Sequence, residues 1–204
     1  MIYQYILPLL LLSVFPFGQA RTRTYKIVAA ESDMRVFVGK AGLFSALGHE
    51  HEIGVKSFNG HVVVPESGAN GASMEMEIDA LSLEVLDKQE SDDDRKKIFT
   101  SMHNEVLESV KYPKISFKSV SVSDLKSTGD GAYSFVVNGD LTLRDTTNRI
   151  AVPVAATITP QQLRASGKYT LKQSSYGIKP FSAAGGAVKV KDDVVVNFNI
   201  LAKD

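Results

Sequence analysis

The feature that most constrains the fold is a strict alternation of apolar and polar positions over residues 133–143. Every second residue of this segment, beginning with Tyr133 and ending with Leu143, is apolar or glycine. In an extended strand such residues point to one face, so the segment predicts a long, half-buried strand. A strand of this length at an open sheet edge would invite pairing with other chains. Closure of the sheet into a barrel is therefore favoured.

Shorter alternating segments and turn signals fill most of the remaining chain. The Gly129-Asp130-Gly131 run predicts a hairpin turn. Val120 and Val122 have the opposite parity to Ile115 and Phe117, which predicts a β-bulge between the two pairs. A length of 204 residues suits one domain with its own core. The sequence therefore predicts an all-β protein with one inserted helix, built as an antiparallel β-barrel of about eight strands.

Residues 92–109 carry the only clear helical period in this pattern. Asp92 and its acidic neighbours favour a helix N-terminus, and we expect them to supply the cap. Ile98, Met102 and Val106 recur every four residues and predict a buried stripe. Pro113 prevents the helix from continuing. A single amphipathic helix between strands predicts a cover over one end of the barrel.

The N-terminal residues indicate an exported protein, and the charge balance bears on the kind of partner. Residues 1–20 contain no charged side chain and end in Gly18-Gln19-Ala20, which predicts a signal peptide over 1–20 and a mature domain over 21–204. The apolar run is too short and too broken for a stable membrane span. Lys plus Arg equal Asp plus Glu at 23 each, which disfavours nucleic-acid binding. We expect a periplasmic or secreted protein without disulfides, since the chain has no cysteine. The strand pattern is compatible with a monomer and with a homodimer.

The histidines suggest an alternative function. His49 and His51 are two residues apart, so on a strand their imidazoles would share a face and could bind one metal ion, with His103 of the helix as a further candidate. This alternative is a periplasmic metal-binding or hydrolytic protein. The structural interpretation is a polar barrel rim in which His51 hydrogen-bonds a loop or helix group. The chain has no Gly-x-Ser-x-Gly elbow and no phosphate-binding loop, so we expect no enzyme activity and no catalytic residues.

Several short segments, in order along the chain, resemble the YceI-like family. They are GLF (42–44), FNG (58–60), IDALS (78–82), DR (94–95), YPKISF (112–117), GDLTL (139–143) and YGI (176–178). The resemblance spans residues 25–202. It implies an exported bacterial protein with a lipocalin-like barrel that encloses a polyisoprenoid chain. No other cofactor is expected, and the partner is an isoprenoid lipid such as a quinone.

Strand parity and the helix stripe then give candidates for the lining of a ligand cavity. They are Phe37, Phe44, Phe58, Met74, Met76, Ile78, Phe99, Met102, Phe117, Phe135, Leu141, Tyr176 and Phe181. Methionine adapts to irregular apolar ligands, but it also fills gaps in a solid core. A packed barrel that serves as a ligand-free scaffold is therefore a third interpretation.

Overall fold

An antiparallel sheet that closes on itself forms the body of the protein. In this computed structural model, which describes residues 21–41, 50–186 and 188–204, twelve strands of the described chain belong to one sheet. They are β1 (Thr22–Ile27), β2 (Asp33–Ala41), β3 (His51–Val55), β4 (Phe58–Pro65), β5 (Ser73–Asp79), β6 (Leu83–Val85), β7 (Lys114–Gly129), β8 (Ala132–Leu143), β9 (Thr146–Ile158), β10 (Gln162–Lys172), β11 (Ser182–Ala183) and β12 (Val188–Lys203).

Eight of these strands make the closed barrel. Their order is β1-β4-β5-β7-β8-β9-β10-β12, and β12 returns to β1 through the pairs Lys26–Lys203 and Ile27–Ala202. Nearer its start, over residues 189–199, β12 pairs with β2 in place of β1. β3 then pairs with β2 and β6 pairs with β3, so these three strands extend the sheet beyond the barrel. The predicted all-β class and the antiparallel barrel of about eight strands are thus confirmed.

Two local predictions along the long β7–β8 hairpin are also confirmed. The pairing register of β7 against β8 shifts between Ser119 and Ser121, which is the bulge that the change of parity required. Asp130 and Gly131 form the turn with φ values of 49° and 74°. Two successive positive φ values match the twist of the flanking strands. A Cβ on Gly131 would lie 2.5 Å from the carbonyl oxygen of Ile158, so this position requires glycine.

One helical segment interrupts the strands. Helix α1 (Asp92–Ser101) continues as a π-helical stretch (Met102–Val106), so the segment is shorter than the predicted 92–109. The wider turns leave Leu107 N bonded to Met102 O, and Glu108 adopts a positive φ that ends the helix. No helix among the described residues is both long enough and apolar enough to cross a bilayer.

The N-cap of α1 differs from the prediction, which placed it on the aspartates. Ser91 is the N-cap, and its Oγ accepts a hydrogen bond of 3.1 Å from the backbone N–H of Asp94. Asp92 instead pairs with the guanidinium of Arg95. Arg95 also donates to the carbonyl oxygens of Asp87 and Glu90, at 3.1 and 2.7 Å. This arginine therefore ties the first helical turn to the preceding loop.

The cap makes a testable difference between two neighbouring residues. Ser91→Ala is expected to lower the free energy of unfolding by about 1 kcal/mol, because Asp94 N–H loses its acceptor. Asp92→Ala should cost less than about 0.5 kcal/mol, since its carboxylate is exposed and makes only a surface ion pair. Urea unfolding of both variants measures the comparison. A larger loss in Asp92→Ala than in Ser91→Ala would contradict this assignment of the cap.

The buried apolar side chains form three clusters, two of them at the ends of the barrel. The largest contains Met34, Ile53, Val55, Phe58, Ile78, Leu83 and Ile200. Tyr25, Val64, Leu163 and Ala202 close the end where β12 meets β1. At the other end Leu143, Tyr176 and Ile178 pack with Val106 and Leu107 of the helical segment and its C-cap. The inward-facing side chains leave an enclosed space inside the barrel.

Candidate ligand-binding cavity

The barrel encloses a cavity of about 260 Å³. Its wall is built from inward-facing side chains of ten strands and from the helical segment, and most of these are valine, isoleucine, leucine or methionine. Among the described wall residues the polar side chains are Tyr169 and Gln173, and none is charged. Cavities lined in this way stay dry and bind apolar molecules. The arrangement is suited to an apolar ligand and offers no group for chemistry on it.

Two inward-facing glycines help to keep this space open. A Cβ on Gly139 would lie 2.4 Å from Cζ of Phe117, and one on Gly167 would lie 2.5 Å from Cζ of Phe198. Each aromatic ring therefore occupies the place where a side chain of the glycine would be. Because the rings lie against the wall at these points, they contribute apolar surface and leave the middle of the barrel free.

The helical segment contributes to the wall at one end. Met102, Val106 and Leu107 line the cavity, and Arg144 in the β8–β9 turn fixes the last helical turn. Its Nη1 donates to the carbonyl oxygen of Val106 at 3.0 Å, and its guanidinium pairs with Glu108. The π-helical stretch and the residue after it therefore form the inner surface of the cover, while α1 itself has no buried residue.

Several residues predicted to line a ligand cavity lie on its wall. They are Met74, Met76, Ile78, Met102, Phe117 and Leu141. All of them are on β5, β7, β8 or the helical segment, where the face chosen from the sequence is the one that points into the barrel. Their contact with a ligand stays a prediction.

Other predicted residues do not lie on the wall. Phe37 is on the opposite face of β2 from the wall residues Val36 and Val38, so the parity chosen for it was wrong. Phe99 is 41% exposed and stacks on the His103 ring, with 4.2 Å between ring centroids. It lies on the outer side of the helix.

The remaining predicted aromatic residues are also absent from the wall. Phe58 is buried in the cluster with Ile78 and Met34, behind the cavity surface. Tyr176 is packed against Leu143 in the end cluster. Phe135 pairs with the wall residue Val154 but lies nearer the hairpin end of β8, and Phe181 precedes the short strand β11. Phe44 lies outside the described residues.

Sequence reasoning missed the aliphatic part of the wall. Val137, Ile150, Val152, Val194 and Val196 all line the cavity. Their alternation was visible in the sequence, since Val137 has the parity of Leu141, and Val194 has that of Ile200. Selection by side-chain size favoured aromatic residues and methionine. The signal that finds the wall is parity within each strand, without regard to size.

His51, a candidate metal ligand in the sequence, has a structural role. Nδ1 of His51 lies 2.6 Å from Oδ2 of the buried Asp87, whose Oδ1 accepts the backbone N–H of Glu52 at 2.6 Å. Asp87 therefore joins β3 to the loop before α1. His61 lies on β4, paired across the sheet with Glu75. His49 lies outside the described residues, and within them no group of three His, Asp or Glu side chains is placed to hold a metal ion.

His103 is buried, and both of its ring nitrogens have partners. Nδ1 lies 2.8 Å from Oγ of Ser109, and Nε2 lies 3.0 Å from the carbonyl oxygen of Leu83. A carbonyl only accepts, so Nε2 donates to Leu83 O, and Nδ1 forms its hydrogen bond with the serine hydroxyl. Neither nitrogen is left to bind a metal. His103 instead connects the helical segment to Leu83 on β6 and to Ser109, which follows the helical segment.

This role predicts a large effect on stability. His103→Ala is expected to lower the free energy of unfolding by about 2–4 kcal/mol, because it leaves a cavity and two buried polar groups without partners. His61→Ala, at a half-exposed position on β4, is the control and should change it by less than about 0.5 kcal/mol. Urea unfolding midpoints measure both. Equal, small losses would show that His103 does not hold the helical segment in place.

Tyr176 provides a pH-dependent prediction. The side chain is 2% exposed, and its hydroxyl lies near Asn148 without a hydrogen bond of good geometry, since the Asn148 amide donates to Ser175 O at 2.9 Å. Burial, with a smaller contribution from Tyr169, raises the pKa of Tyr176 to about 12. Its stabilising contribution is complete below the unfolded pKa of about 10 and is lost as pH rises through the folded pKa.

Tyr176→Phe removes this titration. Between pH 10 and 12 we expect wild type to lose on the order of 2 kcal/mol more unfolding free energy than the variant. Below pH 10 the variant should be as stable as wild type or slightly more stable, because no hydrogen bond is lost. Denaturation at a series of pH values, with Tyr133→Phe as control, measures the difference. Parallel pH curves for wild type and Tyr176→Phe would refute this prediction.

Fold and cavity together define a class of protein: a lipocalin-like antiparallel barrel that encloses an apolar cavity. A family model described as the YceI-like domain matches residues 25–202. The chain therefore belongs to the YceI-like family, as its sequence segments indicated.

Solved structures with a similar fold agree with this assignment. BcnA from Burkholderia cenocepacia is 19% identical, with 87% of this chain and 99% of that chain covered and a TM-score of 0.65. A polyisoprenoid binding domain from Saccharophagus degradans, implicated in plant cell wall breakdown, is 12% identical, with coverage of 88% and 97% and a TM-score of 0.63. A Campylobacter jejuni YCEI protein is 12% identical, with coverage of 74% and 84% and a TM-score of 0.54. The comparison with curated proteins found no match.

Proposed function

We propose that this protein is an exported carrier that encloses the isoprenoid tail of a lipid inside its barrel and catalyses no reaction. The observation that carries the proposal is the cavity of about 260 Å³ with an almost wholly apolar wall. Membership of the YceI-like family supports it, as does the similar fold of a domain described as polyisoprenoid binding. A solid, ligand-free scaffold would not need this internal space.

The energy for binding comes from the apolar tail. Transfer of a CH₂ group from water to an apolar site contributes roughly 0.8 kcal/mol, so a few isoprene units supply substantial affinity without any charged contact. The wall is formed largely by barrel strands and needs little rearrangement once a ligand is inside.

The proposed cover is the segment from Met102 to Leu107, whose apolar side chains meet the ligand space. It is held at its end by Arg144, and its buried His103 hydrogen-bonds the carbonyl oxygen of Leu83 on β6. Release of a lipid from this end requires the segment to move. The segment is held by apolar packing against the barrel and by hydrogen bonds and an ion pair of its side chains and backbone, whereas the barrel strands are joined by continuous backbone pairing.

Export to the periplasm or the outside of the cell is part of the proposal and rests on the sequence of residues 1–20, which lie outside the described residues. The metal-binding or hydrolytic alternative has less support. His103 has no free nitrogen, and Nδ1 of His51 is hydrogen-bonded to Asp87. Neither residue lines the cavity.

Calorimetric titration of the delipidated full chain with an isoprenoid quinone tests the proposal. We expect saturable binding of one ligand per chain with a negative heat-capacity change, the mark of apolar burial. A short-chain quinone without the isoprenoid tail is the matched control and should bind far more weakly. Absence of saturable binding by the long-tailed quinone would remove the proposed function.

A further inference from the structure

Exposed apolar side chains lie on the outer side of the helical segment. Phe99 of α1 is 41% exposed, Leu81 in the turn before β6 is 50% exposed, and Val110 in the loop after the helical segment is 84% exposed. Apolar residues that are exposed singly are common on protein surfaces and need no explanation. These three residues require one only if they lie close together.

His103 joins the segments that carry these residues. Its ring stacks on Phe99, with 4.2 Å between the ring centroids. Its Nδ1 lies 2.8 Å from Oγ of Ser109, which directly precedes Val110. Its Nε2 lies 3.0 Å from the carbonyl oxygen of Leu83 on β6. The helix, the loop after it and the start of β6 therefore meet at this buried histidine.

A backbone hydrogen bond keeps Leu81 beside the same loop. The N–H of Ala80 donates to the carbonyl oxygen of Pro113 at 2.9 Å, so Leu81 follows a residue that is bonded to the loop carrying Val110. We therefore group Leu81, Phe99 and Val110 as the outer patch. The continuation of the same helical segment lines the cavity, so this segment separates the outer patch from the ligand space.

Two lysines flank the outer patch. Lys96 lies three residues before Phe99 on α1, and Lys111 directly follows Val110. Both side chains are exposed, and neither forms an ion pair within the described part of the chain. Nζ of Lys111 lies 4.8 Å from the centroid of the Tyr112 ring. Exposed apolar side chains with an aromatic ring and lysines beside them are typical of surfaces that bind at the boundary of a bilayer.

Two acidic side chains on the neighbouring segments are paired within the protein. Glu108 pairs with Arg144, and Glu84 on β6 pairs with Lys56 at 3.7 Å. The three aspartates at the start of α1 lie about 8–10 Å along the helix axis from Phe99, which is about the distance over which salt screens exposed charges. The two lysines therefore remain available for an anionic surface.

We propose that the outer patch and its two lysines dock the protein on the surface of a bilayer that contains anionic phospholipid. The apolar side chains enter the boundary between the head groups and the acyl chains, while the lysine ammonium groups stay at the level of the phosphates. The helical segment then lies against the membrane, so a lipid tail that leaves the barrel at this end does not cross water. The proposal goes beyond the carrier function, because docking needs no ligand in the barrel.

A fluorescent label tests which part of the protein meets the bilayer. The chain contains no cysteine, so Val110→Cys gives a single site for an environment-sensitive maleimide dye on the full chain. With vesicles of phosphatidylcholine and phosphatidylglycerol we expect the emission of this label to move to shorter wavelength, because the labelled side chain leaves water. Val120→Cys is the matched control. Val120 is 54% exposed but lies on the barrel strand β7, and its label should not respond.

Vesicle binding of charge variants measures the strength of docking. The double variant with Val110→Asp and Lys111→Glu should bind the mixed vesicles at least about tenfold more weakly than wild type, since it loses an apolar contact and an attraction to the phosphates. The control with Val120→Asp and Lys126→Glu, both exposed on β7, should bind as wild type does. Wild type should bind vesicles of phosphatidylcholine alone at least about fivefold more weakly than the mixed vesicles. Residues 1–20 are the same in every variant, so they do not contribute to the differences between variants.

The outcomes separate docking from the carrier function. Equal responses of the two labels, or equal binding by the double variant and wild type, would overturn the docking surface and leave the carrier function in place. A Val110 label whose emission shifts with protein concentration in the absence of vesicles would also overturn it, because the outer patch would then be a contact between two copies of the chain. Docking by a protein that binds no isoprenoid quinone would support the docking surface and remove the carrier function.

Discussion

Met102→Asp is expected to abolish retention of a lipid and to lower the free energy of unfolding by several kcal/mol. The Met102 side chain lies on the cavity wall and packs against the cluster of Met34, Ile53 and Leu83. The described wall offers no cationic partner for a carboxylate at this position. The new carboxyl group must therefore stay protonated or displace the helical segment from the barrel. The measurements are the ligand off-rate and the urea unfolding midpoint of the same samples.

Two substitutions serve as controls for this result. Met102→Leu conserves volume and should cost less than about 1.5 kcal/mol while it leaves binding nearly intact. Asn104→Asp places a new carboxylate on the exposed side of the same π-helical stretch and should change neither measurement appreciably. If Met102→Asp folds normally and retains lipid as well as wild type, the helical segment does not close the cavity and is only a surface element.

Val152→Phe is expected to weaken ligand binding at least about tenfold without unfolding the protein. Val152 lies on the wall and pairs with the wall residue Val137. A larger apolar side chain at this point extends into space that the structure leaves empty, so it should remove ligand volume at little cost in stability. The ligand-free variant should be as stable as wild type, or more stable by about 1 kcal/mol.

The matched control for this variant is on the same strand. Ala151 is exposed on the outer face of β9, directly before Val152 in sequence. Ala151→Phe adds a comparable side chain outside the barrel and should leave binding unchanged. Calorimetric titration of both variants with an isoprenoid quinone makes the comparison. Similar affinities for Val152→Phe and wild type would show that the ligand does not occupy the barrel interior.

The barrel could be predicted because its evidence is periodic. Long strands such as β8 repeat the same parity often enough to identify a buried face, and the parity change within β7 located a bulge. The short strands β3 and β6 could not be found in this way. They have five and three residues, too few for a period to be distinguished from chance. β3 is placed by its pairing with β2 and β6 by its pairing with β3, and both pairings join segments that are distant in sequence.

The cavity wall was predictable only in part. Parity shows which residues share a face, but it does not show which face is inside. Phe37 illustrates the consequence, because its neighbours Val36 and Val38 line the cavity while Phe37 lies on the opposite face. Phe99 had the right spacing for the helix stripe, but α1 has no buried residue and the helical segment reaches the cavity wall only from Met102 onwards.

The histidines show a similar limit. Spacing alone allowed a shared metal site for His51 and its neighbours, because it gives no information on partners from distant segments. Asp87 and Ser109 supply those partners. A buried histidine with two hydrogen bonds is indistinguishable in sequence from a metal ligand.

The central claim is that the barrel holds an isoprenoid lipid, and mass spectrometry of the purified protein tests it most directly. The full chain is expressed in a host that makes isoprenoid quinones and analysed intact under native conditions and after organic extraction. We expect one lipid with an isoprenoid tail per chain of wild type, and a much smaller lipid-bound fraction for Val152→Phe. Wild-type protein that yields no lipid, and whose melting temperature does not change when isoprenoid quinones are added, would contradict the claim.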